Sequence, residues 1–142
     1  MNVTTRKILP ATLDHLYEAM EFVVFFAEEQ GFPPNRIMEL ELSLEEALVN
    51  IIRYAYPDGS GDMEISCIPG GDDQFIVEIS DTGIPFDVFS AKEPDIIAGV
   101  EDRKIGGLGI YFIRRLMDDV TYVRKGGKNI LRLTVLREKV VG

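Results

Sequence analysis

Apolar residues along the chain change period several times, and the changes divide it into elements. Residues 3–9, Val-Thr-Thr-Arg-Lys-Ile-Leu, partly alternate and are closed by Pro10, which predicts a short edge strand. Leu13, Leu16, Ala19, Met20, Val23, Val24 and Ala27 then recur at helical spacing. They predict a helix over 13–30, capped by Thr12 and ended by Gly31. A second helix is predicted over 35–55, with Ile37, Leu40, Leu44, Ala47, Leu48, Ile51 and Ala55 forming one apolar face. The turn formers of Tyr56-Pro-Asp-Gly-Ser-Gly61 stop it.

Beyond that point the period falls to two. Met63–Ile68 and Gln74–Ser80 alternate on either side of Pro69-Gly-Gly-Asp-Asp73, which predicts a hairpin. Residues 84–105 have no clean period and contain Pro85, Pro94 and Gly99; a connection this long inside a compact domain reads as functional, for instance as a lid. A helix over Leu108–Met117 follows, then strands Val120–Arg124 and Asn129–Leu136 about a Lys125-Gly-Gly-Lys128 turn. The order predicts an α/β (α+β) two-layer sandwich, with helices on one face of a mostly antiparallel, mixed sheet. The 142 residues are expected to form one domain, 1–142.

Composition narrows the chemistry. At 46% hydrophobic and 27% charged, the chain is ordinary for a soluble protein. No apolar run approaches the roughly 18 residues that span a bilayer, and nothing reads as a secretory signal, so a cytoplasmic protein without membrane contact is expected. Cys67 is the only cysteine, which rules out an internal disulfide or a cysteine metal cage and suggests a small core residue. His15 is the only histidine, so neither a His-pair zinc site nor the usual catalytic triads can be assembled. The net charge of -9 argues against duplex nucleic acid and points to a protein partner or simply to solubility. A polyphosphate remains compatible if backbone amides and a divalent cation offset its charge.

Three short segments carry the candidate chemistry. Glu46 and Asn50, in Glu46-Ala-Leu-Val-Asn50, lie one helical turn apart and project side by side, with Arg53 near the same stripe. By angle this stripe lies roughly opposite the apolar face, which predicts a solvated surface. As a pair, however, an amide oxygen suits Mg²⁺ and an adjacent carboxylate can take a proton from an attacking hydroxyl. Asp81-Thr-Gly83 follows the apolar strand Phe75–Ile79; it is either a plain turn or a loop whose carboxylate accepts the exocyclic amine of adenine. Gly106-Gly-Leu-Gly109 opens a helix, either for conformational reasons or because free amides there attract phosphate oxygens. Walker-type and Rossmann-type patterns are missing.

In this order the three segments resemble the Bergerat-type, or GHKL, ATP-binding fold shared by DNA gyrase, MutL repair proteins, heat-shock chaperone ATPases and histidine kinases. Glu45-Glu-Ala-Leu-Val-Asn50-Ile-Ile-Arg-Tyr-Ala-Tyr56, Asp81-Thr-Gly-Ile-Pro-Phe-Asp87 and Gly106-Gly-Leu-Gly-Ile-Tyr-Phe-Ile-Arg-Arg-Leu-Met-Asp118-Asp-Val-Thr-Tyr122 are most similar to the anti-sigma factor protein-serine kinases, over about residues 5–138. The resemblance implies an ATP- and Mg²⁺-dependent serine/threonine kinase that binds a sigma factor and phosphorylates a serine on a STAS-type anti-sigma factor antagonist, as a possible homodimer. It implies Glu46 as the base, Asn50 as the Mg²⁺ ligand, and Asp81 with Gly83 at adenine. Gly107, Leu108 and Gly109 would meet the phosphates beneath the lid. Two positions depart from the family: Tyr54 stands where His is frequent, and Lys104 stands where Arg is frequent and lacks its forked geometry. Other readings are an ATP-binding regulatory module without phosphotransfer and a stand-alone histidine-kinase-type catalytic domain.

Overall fold

A computed structural model describes residues 3–85 and 113–138. The elements run β1 (Thr5–Pro10), a 3₁₀ turn (Leu13–His15), α1 (Leu16–Glu29), α2 (Pro34–Tyr54), β2 (Asp62–Pro69), β3 (Gln74–Asp81), β4 (Asp119–Lys125) and β5 (Lys128–Leu136). A helical turn at 113–116 precedes β4. The strands form one sheet in the order β1-β2-β3-β5-β4, every neighbouring pair antiparallel. No parallel pair occurs among the described residues, so the mixed element of the expected sheet is not seen there. The predicted elements over the described residues are otherwise all found, with ends shifted by at most three residues.

Local residues shape several of these ends. The Thr12 hydroxyl makes no backbone cap; it bonds His15 Nδ1 at 2.8 Å, and the first predicted helical turn is a 3₁₀ turn that precedes α1. Pro34 occupies the first turn of α2, where a missing N–H costs nothing. Pro10 is accommodated because β1 is an edge strand. Gly126 and Gly127, both at positive φ, make the tight β4–β5 turn that a right-twisted hairpin favours.

The inner face of the sheet follows from the two-residue period. Met63, Ile65 and Cys67 of β2, Phe75, Val77 and Ile79 of β3, and Leu131, Leu133 and Val135 of β5 are buried. Cross-strand register aligns them in rows such as Cys67, Val77 and Leu133. Ala19, Val23, Phe26 and Ala27 of α1 and Leu40, Leu44, Ala47 and Leu48 of α2 join the same core. Phe75 is packed by Phe26 and Phe32, with ring centroids 5.2 and 4.8 Å away. Cys67 is fully buried as expected, and burial pushes its thiol pKa up to about 12.

Candidate functional site

The parity that buries Phe75, Val77 and Ile79 delivers Asp81, the last residue of β3, to the same helix-covered face. The sheet's apolar rows therefore end in a polar pair, because Asp81 is registered against Asn129 of β5. Both side chains are buried, at 6% and 5% exposure. Asp81 Oδ1 accepts two hydrogen bonds of 2.9 Å, one from Gly83 N–H and one from Asn129 Nδ2. Asn129 Nδ2 also donates to the Ile84 carbonyl at 2.7 Å, and its Oδ1 accepts from the Tyr122 hydroxyl and from Arg124. With Oδ1 doubly occupied, Oδ2 is the Asp81 oxygen left to meet a ligand.

The loop after Asp81 is fastened to the end of α2. Ile84 N–H donates to the Ala55 carbonyl at 2.9 Å, and Arg124 donates to the Gly83 carbonyl at 2.8 Å. Contact at Gly83 is so close that an added Cβ would run into the Ala55 backbone. Only glycine fits there. Beside the loop lies an open groove of about 340 Å³, with Tyr56, Pro57, Thr82, Ile84 and Arg124 on its walls.

Within α2 the expected solvated stripe is corrected in part. Arg53 is exposed and Glu46 half-buried, but Asn50 is only 3% exposed. The buried sector of the helix is wider than its apolar face, because a polar line of Arg36, Ser43 and Asn50 is also covered. These positions are seven residues apart and drift by only about 20° per step around the axis. Arg36 is saturated. Its Nε donates to the Leu136 carbonyl at 2.9 Å and its Nη1 to Glu39 and to the Leu116 carbonyl, while its Nη2 pairs with Asp118. Ser43 Oγ and Asn50 Nδ2, in contrast, find no hydrogen-bond partner among the described residues.

That orphaned amide tests the expected cofactor. Burying a polar group without a partner costs about 1–3 kcal/mol, which a ligand at the site would recover. The unpartnered atom is the Nδ2 donor, which a phosphate oxygen would satisfy, while the amide oxygen and the half-buried Glu46 carboxylate are oxygen ligands of the kind a hard cation such as Mg²⁺ accepts. The residues present fit a metal-bound polyphosphate.

Of the predicted site residues, Asp81 and Gly83 share one loop, and Asn50 and Glu46 share the helix to which that loop is bonded. Asn50 lies five residues, about 7.5 Å of helix axis, before Ala55. Lys104, Gly107, Leu108 and Gly109, with all but the first two residues of the expected lid over 84–105, lie outside the described residues. Sequence pattern alone assigns no role to Asn129 or Tyr56. A polar residue at the inward parity of Asn129-Ile-Leu-Arg-Leu-Thr-Val135 is the signal that finds the first.

A family profile described as the histidine kinase-like ATPase domain matches residues 9–135. Serine-protein kinase RsbW of a Bacillus cereus strain is 28% identical over 138 residues, covering 94% of this chain and 85% of the relative. The protein of the same name from Listeria monocytogenes is also 28% identical, over 94% of this chain and 87% of its own. Among solved structures, the RsbU and RsbW domains of a Mycobacterium tuberculosis protein align at a TM-score of 0.66 and 17% identity, covering 94% of this chain and 32% of that one. A chain of the SiaB-SiaC complex from Pseudomonas aeruginosa aligns at 0.59 and 15% identity, covering 93% and 89%. The structural likenesses establish the fold, and the profile, spanning both segments that meet at Ala55, establishes the family: the chain belongs to the histidine kinase-like ATPase domain family.

Proposed function

We propose that this chain is an ATP- and Mg²⁺-dependent protein-serine kinase that binds a sigma factor and phosphorylates a serine on a STAS-type anti-sigma factor antagonist. The observation that carries the reading is the buried, unpartnered Nδ2 donor of Asn50, on a helix whose end is hydrogen-bonded to Ile84, just after the Asp81–Gly83 turn. It is supported by relatives that bear the name serine-protein kinase over nearly the whole chain. The proposal takes 1–142 as one domain and the cytoplasm as its compartment; no described helix is long and apolar enough to cross a membrane.

When bound, Mg-ATP supplies the transferable phosphoryl group and the cation that offsets its charge. The chain's own residues do the rest. Asp81 Oδ2 accepts the exocyclic amine of adenine, held in that orientation by the two donors on Oδ1. Gly83 keeps the loop flat against α2, where any side chain would push it away. Asn50 offers its amide oxygen to the cation. Glu46, one turn earlier, accepts the proton of the partner serine hydroxyl. Lys104, Gly107, Leu108 and Gly109 are assigned to the phosphate end by resemblance.

The test is incubation with Mg-ATP and a candidate antagonist, followed by phosphoserine detection. Wild-type protein is expected to label the antagonist. Glu46→Gln is expected to bind ATP as before and to transfer phosphate about 100-fold more slowly or worse, the lower bound for losing a positioned base. Nucleotide bound without phosphoserine, on every antagonist encoded beside the gene, would remove the kinase claim and leave an ATP-binding regulatory module.

A further inference from the structure

Tyr56 stands two residues beyond α2 and reaches both the start of β2 and the acidic loop. Its hydroxyl donates to the Asp62 carbonyl at the start of β2, at 2.6 Å. The same oxygen accepts the Thr82 N–H at 2.9 Å and lies 3.3 Å from Thr82 Oγ1. The ring is fixed in turn by Gly61, because a Cβ at that position would run into it. Thr82 sits between Asp81 and Gly83, so a single hydroxyl holds the middle of the loop that the proposed reading gives to the base.

We infer that Tyr56 is a positioning residue for base recognition: through the Thr82 N–H it sets where Asp81 Oδ2 stands relative to α2, and so relative to Asn50. This rests on the ATP-binding reading above and adds to it the device that fixes the span between the base end and the metal end. Asn129 locks the Asp81 carboxylate from the strand side, and Ala55 locks the loop's exit. Tyr56 locks its centre. Without the hydroxyl, the loop keeps its two ends and loses its register, which weakens the bond from Asp81 to an exocyclic amine while leaving phosphate contacts alone.

The readout is the ratio of affinities for ATP and for purine riboside triphosphate, which lacks only that amine, measured by calorimetry with Mg²⁺ on the full chain. Tyr56→Phe keeps the ring and is expected to lower ATP affinity about three- to tenfold, the size of one hydrogen bond, with purine riboside triphosphate unchanged. Gly61→Ala, which displaces the ring, is expected to narrow the ratio in the same way. Gly59→Ala, where a Cβ meets nothing, leaves it intact. Amide exchange at Thr82 is expected to accelerate at least tenfold in Tyr56→Phe, reporting the lost partner even if the Gly61 variant does not fold. A purely structural tyrosine would lower thermal stability without moving the ratio. Wild-type preference for ATP retained by folded Tyr56→Phe overturns the inference alone; absence of any preference in wild type overturns base reading by Asp81 and this inference with it.

Discussion

At residue scale, the site depends on one close contact, that of Gly83 with the end of α2. Gly83 has no room for a side chain, so Gly83→Ala must push the loop off the Ala55 carbonyl. The expected cost is about 1–3 kcal/mol, seen as a lower denaturant midpoint, together with loss of ATP binding. Unchanged stability and binding would show that the loop does not need this approach. Cys67 makes a second prediction. Burial raises its thiol from 9.0 to about 12 in the folded protein, so the unfolded chain ionises first as pH rises. Its stabilising contribution is full below about pH 9 and is lost as pH climbs from there to about 12. The native protein is therefore expected to resist alkylation at pH 8 and to react only on unfolding; rapid labelling of native protein would contradict the buried placement.

At element scale, α2 is the member that joins the molecule's parts. Its last turns carry Asn50 and contact the acidic loop, while Arg36 in its first turn ties it to the carbonyl that ends the helical turn 113–116, to Asp118 and to the end of β5. Asp118 also accepts the Leu136 N–H at 2.8 Å. Breaking one partner of a buried ion pair is far more damaging than replacing both. Arg36→Met is expected to cost about 3–5 kcal/mol in chemical denaturation, whereas Arg36→Met combined with Asp118→Leu recovers part of that loss. Equal stability of wild type and the single variant would contradict the hub.

The elements themselves were legible because each keeps one hydrophobic period. Strands β2, β3 and β5 alternate cleanly, and α1 and α2 carry continuous apolar faces. What the sequence concealed is the polar part of the interior. Asn50 falls outside the apolar arc of α2, and only the buried positions of Ser43 and Arg36, one and two heptads earlier, reveal that the covered sector extends to it. Thr12 precedes a helical pattern like a cap, yet a nearby imidazole takes its hydroxyl instead of the backbone. The pairing of Asp81 with Asn129 depends on strand order, since β5 lies beside β3 although β4 precedes it in the chain. Local pattern carries no information on that neighbour.

At the scale of the whole molecule, two helices cover one face of the sheet, and the inner rows are apolar along most of their length. At one end they give way to an acidic loop fastened to the helix that bears Glu46 and Asn50. An acidic protein of net charge -9 gains nothing from long-range attraction to a triphosphate, so binding must come from such local donors and a cation. Mg²⁺ removal is accordingly expected to weaken ATP binding strongly while leaving adenosine affinity nearly unchanged, because adenosine meets only the loop.

The most direct test is calorimetric titration of Mg-ATP into the wild-type chain and into Asp81→Asn, which keeps the loop's shape but exchanges an acceptor for a group that also donates. One site per chain is expected in wild type, with a loss of affinity of at least tenfold in the folded variant. Folded wild-type protein that takes up no ATP, or an Asp81→Asn protein that binds as tightly as wild type, would contradict base reading by the acidic loop.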